Sequence, residues 1–99
     1  MVDALGVIRF WNAEAERVFG HLASTALGRT LDLIVPEDYR QAHWAGFRRA
    51  IVAGEAAAEG QPGPFPALCE NGEIKPVQGR LTLLRSAQGQ VIGAMVVFG

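Results

Sequence analysis

The chain has 99 residues, 49% of them hydrophobic, and a formal net charge of −1 from nine basic and ten acidic residues. That length suits one domain, 1–99, with a core burying somewhat over ~60% of its extended-chain surface, and the mixed charge excludes a basic nucleic-acid face. No apolar run nears the ~20 residues of a membrane span, and no secretory leader opens the chain; the lone Cys69 leaves no internal disulfide, as suits a reducing cytoplasm.

In chain order, "ALGVIRFWN" reads as a tight turn at Leu5-Gly6 feeding a short strand, Val7 to Trp11. Asn12 can cap the next helix, on which Ala15, Val18 and Phe19 share one face before Gly20 ends it. Ser24 is placed to cap a single turn that closes at Gly28. Pro36 opens a long helix with Glu37 and Asp38 in its first turn, where acids complement the helix dipole. Gly54 should stop that helix after Ala53. The three prolines of "GQPGPFP", residues 60–66, remove backbone donors and argue against a regular element there.

The period then changes. "ENG" at 70–72 and "SAQG" at 86–89 are hairpin turns. Between them Val77, Gly79, Leu81 and Leu83 alternate with Gln78, Arg80 and Thr82, which predicts a half-buried strand. "QVIGAMVVF" is apolar on both faces and so central in its sheet. One early strand, several helices and late antiparallel strands make an α+β arrangement with the helices on one face.

Five stretches carry a resemblance: "DALGVIRFWNAEAERVFG", "ALGRTLDLIVPED", "YRQAHWAGFRRAIVAGE", "ENGE" and "LLRSAQGQVIGAMVVF". Their order and punctuation resemble a PAS sensor domain over essentially the whole chain. The resemblance implies a cupped antiparallel sheet of about five strands, with helices closing a pocket over one face. The family's first strand would precede Asp3, so only Met1 and Val2 remain of it. It also implies a cytoplasmic sensory module that relays the state of a small-molecule or gas ligand to an attached kinase, cyclase or transcription factor. A homodimer is the expected assembly, without nucleic acid or membrane as partner.

His43 is the leading site candidate. The pair Arg40-x-x-His43 is similar to the haem-binding PAS domains of bacterial oxygen-sensor kinases and the related phosphodiesterase sensor. There an arginine lies three residues before the iron-ligating histidine, so the resemblance implies haem b held by His43. A neutral imidazole is a good axial donor to haem iron. At 3.6 residues per turn Gly46, Phe47 and Ala50 fall within about 60° of His43, an apolar floor on which Gly46 leaves room for a flat ring. Arg49 has the reach to meet a propionate, as the matching arginine does in those sensors. The other reading makes His43 a packing or surface residue. On the sheet, Val77, Gly79 and Leu81 would line the pocket, with Gly79 leaving the gap a bulky ligand would use.

The remaining candidates are weaker. The distal arginine of the oxygen sensors corresponds to Gly63 here, and Gln61 is the nearest polar substitute. Trp44 points about 100° from His43, toward a sheet rim or dimer partner. His21 is expected in a solvated loop, and Cys69 as a buried inert thiol. The flavin-bonding cysteine motif of light-sensing relatives is absent. The acids Glu14/Glu16 and Glu37/Asp38 lie at exposed helix starts without a nucleophile or base beside them, so catalysis is not expected. Two functions remain: a ligand sensor, or a ligand-free association module pairing through the sheet's outer face.

Overall fold

The computed structural model describes residues 1–56 and 59–98. Its elements are β1 (Val2–Asp3), α1 (Ala13–Phe19), α2 (Ala23–Ala26), a 3-10 turn (Leu31–Leu33), α3 (Glu37–Ala53), β2 (Pro62–Leu68), β3 (Ile74–Arg85) and β4 (Val91–Phe98). The four strands form one antiparallel sheet in the order β1-β4-β3-β2. β4 is therefore interior, as its two-sided apolar sequence predicts, and the two-residue β1 lies beside it.

Two expectations need correction. The strand from Val7 to Trp11 does not form: Val7 and Ile8 make single bridges to Thr30 and Val2. The backbone here is satisfied piecemeal instead. The Ile8 N–H donates to the Arg29 carbonyl at 2.8 Å, and Arg9 N–H to the Met1 carbonyl at 2.9 Å. The Asp3 carboxylate takes the Leu5 and Val7 N–H groups. A single bridge from Ile8 to Val2 thus stands where a fifth strand was expected.

The second correction is β2 itself, which runs through the proline-rich stretch. Pro62, Pro64 and Pro66 share one parity and pair with Arg80, Gln78 and Pro76; Gly63, Phe65 and Ala67 face Gly79, Val77 and Lys75. In an antiparallel ladder alternate residues point their N–H groups away from the partner, and β2 is an edge strand. The Leu68 N–H, of the same parity, donates outward to the Ile34 carbonyl at 2.9 Å. The missing donors thus fall on the outer side, where the ladder does not need them.

The helices cover one face. Ala15 and Phe19 of α1 pack with Ala67 and Val77, while Phe47 and Ile51 of α3 pack against the buried cluster that includes Leu83, Ala94 and Ile8. Val77, Gly79 and Leu83 are buried and Gln78 and Arg80 exposed, which is the predicted alternation. Asn12 caps α1 by accepting the Ala15 N–H, and Gly20 ends it. The cap of α2 is not Ser24: the Glu16 carboxylate accepts the Ala23 N–H at 2.8 Å from the preceding helix. Pro36, fully buried, opens α3, and Gly54 closes it.

With Gly93, Gly6 is one of the two tightest glycine positions. Its φ is +80°, and a Cβ there would overlap the Trp44 ring. Gly6→Ala is expected to lose about 1–3 kcal/mol or more, since backbone strain and the clash act together. Urea unfolding of the variant beside wild type measures it.

Candidate functional site

Helix α3 places the candidate residues, and its attachment to the 3-10 turn sets their orientation. Arg40 donates to the Val35 carbonyl at 3.0 Å and to the Asp32 carbonyl at 3.2 Å. Trp44 Nε1 donates to Asp32 Oδ1 at 2.7 Å. The Trp44 ring lies over Gly6 and edge-on to Phe47, with centroids 5.5 Å apart. Trp44 therefore faces the domain's own N-terminal turn.

His43 sits on the flank of this buried face. Its ring stacks on Phe47 at 6.1 Å and meets Trp44 edge-on at 5.1 Å. It is half-buried, and its Nδ1 is buried without a hydrogen-bond partner. Desolvation lowers its pKa below the ordinary 6.5, against the opposing pull of the Asp32 carboxylate. The neutral imidazole, the form that binds a metal, is thereby favoured near pH 7.

The structure gathers only part of the predicted set. Phe47 and Ala50 turn inward beside His43, whereas Gly46 and Arg49 are exposed. Centring the apolar stripe on His43 misplaces it: Arg40, Trp44, Phe47 and Ile51 mark the inward direction, and Gly46 lies beyond its edge. Gly79 leaves no gap either. A Cβ there would fall 2.6 Å from Val96 Cγ1 and 2.8 Å from Phe65 Cζ, so neighbouring side chains already fill that space. Gly63 and Gln61 lie at the β2 edge, Gly63 paired with Gly79.

Sequence reasoning missed Asp32, whose carboxylate joins Trp44 and lies near Arg40. An acid flanked by two leucines gave no sign of that role. His21 is half-buried rather than solvated, with its carbonyl accepting Trp11 Nε1 at 2.9 Å. Cys69 is buried, its Sγ 3.7 Å from the Val18 carbonyl oxygen.

Haem can be tested against these residues. The donor fits in chemistry and protonation. The surroundings are filled: Leu33, Phe47, Ile51 and Leu81 each pack against the buried cluster that includes Ile8, Leu83 and Ala94. Two clefts lie elsewhere, one of about 170 Å³ between the end of α1 and the β2–β3 turn, the other of about 330 Å³ beside Tyr39, Phe65, Ile74 and Pro76. Neither cleft is lined by His43, Phe47 or Ala50.

A four-stranded antiparallel sheet with helices packed on it is an α+β architecture. Residues 1–98 match the PAS fold, and the chain belongs to the PAS family. A structure of the PAS domain of a protein from Colwellia psychrerythraea superimposes with a TM-score of 0.77 at 19% identity, covering 95% of this chain and 76% of that one. Among curated proteins, an uncharacterised protein of Azorhizobium caulinodans is 28% identical over 97 residues, 97% of this chain and 13% of that protein. The oxygen sensor protein DosP of Escherichia coli is 32% identical over 53 residues, 54% of this chain and 7% of DosP. The chain thus spans a small fraction of either relative. PAS domains are sensory modules of signalling proteins. Among the described residues no helix is long and apolar enough to cross a membrane.

Two outcomes are expected. Gly79→Ala should destabilise by about 1–3 kcal/mol in urea unfolding, because Phe65 and Val96 must move. The second concerns pH. The unfolded chain protonates His43 near 6.5 and the folded chain only below that value. The stability associated with neutral His43 is therefore complete above pH 6.5 and declines on acidification from 6.5 down to the lowered folded pKa. Urea midpoints measured across that window should fall less steeply in His43→Gln than in wild type.

Proposed function

We propose that the chain is the sensory input module of a larger signalling protein, with haem b as its ligand and His43 as the axial donor. The observation that supports this reading is the half-buried imidazole on α3 whose Nδ1 is buried without a partner. A buried polar atom left unpaired is unfavourable by roughly 1–3 kcal/mol, and such an atom calls for an explanation. Reorienting the ring around a bound metal is one way to remove that penalty. The likeness of about half the chain to an oxygen sensor gives independent support.

When bound, haem would supply an iron centre that responds to gaseous ligands. The chain's own part is to present a neutral donor, surround it with Phe47 and Ala50, and exclude water with the apolar face of α3. Arg49, on the exposed side, would reach a propionate only at the mouth of the site. On the sheet only Leu81 of the expected wall belongs to the cluster that α3 packs against, since Val77 lies under α1 and the space beside Gly79 is taken by Phe65 and Val96. The response would pass to an attached kinase, cyclase or transcription factor, and the working form would be a homodimer.

A second reading is favoured by the packing of Phe47, Ile51 and Leu81: a ligand-free module that sets the geometry of its effector by associating through the sheet's outer face. Titration of hemin into wild type and His43→Ala separates the two. The haem reading expects a stoichiometric Soret band in wild type and at least ~10-fold weaker retention in the variant. A colourless, monodisperse dimer that takes up no haem would establish the second reading. An unchanged Soret spectrum in His43→Ala would move the axial donor to another residue.

A further inference from the structure

The two ends of α3 are held differently. Its N-terminal half is anchored by Arg40 and Trp44 to the 3-10 turn, through carbonyls and a carboxylate of the adjoining chain. Its last turn carries no basic residue of its own, and Val52 there is 89% exposed. The carbonyl end of a helix concentrates partial negative charge, and a nearby cation stabilises it. That cation comes from across the domain. Arg85, the last residue of β3, donates from Nη2 to the Gly54 carbonyl at 3.0 Å.

The same guanidinium grips Glu59 with both nitrogens, Nη2 to Oε1 at 2.9 Å and Nη1 to Oε2 at 3.1 Å. Glu59 is not only a counter-ion. Beyond Arg80, β3 outruns β2 and has backbone groups to satisfy along that side. There Glu59 Oε2 accepts the Leu83 N–H at 2.9 Å, and the Gly60 N–H donates to the Leu81 carbonyl at 2.8 Å. One planar fork therefore joins the end of α3 to a carboxylate that completes the edge of β3. The paired side chains are 38% and 24% exposed, so water and salt can compete for them.

We propose that Arg85 is the latch of a hinged α3. With the Arg85–Glu59 fork closed, the C-terminal half of the helix stays over the sheet; with it released, that half lifts about the Arg40–Trp44 anchor and opens the apolar space beside Leu81. Its purpose as a ligand gate rests on the sensory reading above. The hinge itself needs no ligand.

The test is native-state hydrogen exchange on ligand-free wild type, Arg85→Gln and Glu59→Gln, with Asp32→Asn as the variant at the opposite end. In Arg85→Gln and Glu59→Gln the amides of Ile51, Gly54 and Leu83 should exchange faster, on the order of tenfold for Arg85→Gln. Those of Trp44 and Gly20 should keep their wild-type rates. Asp32→Asn should loosen the Trp44 end instead. Wild-type exchange at Ile51 and Gly54 in Arg85→Gln would overturn the proposal. So would a uniform acceleration across all slow amides, which would make the fork a global stabiliser and not a latch. If hemin fails to bind any variant the haem reading falls, and the exchange pattern still decides the latch.

Discussion

The seating of Trp44 is the constraint on which the rest of the domain depends. Its ring is covered by a glycine turn at φ +80°, and its indole N–H is fixed by Asp32. One side chain thereby joins the start of the chain, the 3-10 turn and the long helix. The inward direction of α3 follows, and with it the burial of Phe47, Ile51 and Ala50. The flanking position of His43 follows as well. A helix 17 residues long could roll on an apolar sheet without such a key, because hydrophobic burial alone is non-directional.

That seating sets two demands against each other. Full packing between α3 and the sheet stabilises the domain, yet any ligand taken between them must displace Phe47 or Leu81. A domain that binds there gives up apolar contacts first and recovers them on the ligand's surface. Its apparent affinity is then reduced by the fraction of time the space stands open. Where the helix yields therefore matters as much as which residue donates to the ligand.

Much of the fold could be read from periodicity and punctuation. Asn12, Gly20 and Gly54 mark helix ends, and the alternation from Val77 to Leu83 marks a face, because each of these signals is local. The failures were of another kind. The segment from Val7 to Trp11 has strand-like composition, but its backbone bonds are divided among residues that include Met1, Asp3 and Arg29, and no continuous ladder forms. The proline stretch looked inadmissible because its edge position is a property of the whole sheet. At the site, Gly46 and Gly79 were assigned by angle and by size. Whether a neighbour fills the space beside a glycine depends on side chains such as Phe65 and Val96, whose meeting no local pattern records. Asp32 stayed invisible for the same reason.

The spacing of prolines in β2 has a further consequence, for register during folding. In the observed pairing Pro62, Pro64 and Pro66 all direct their missing donors away from β3. A slip by one residue would turn all three toward it, so the competing ladder would lose three hydrogen bonds at once and invert every side chain of the strand. A slip by two would restore the donors but carry Phe65 and Ala67 past the positions that Val77 and Lys75 hold for them. The prolines thus act as a parity filter. They contribute no bond to the native sheet and discriminate against its nearest misfolded neighbours.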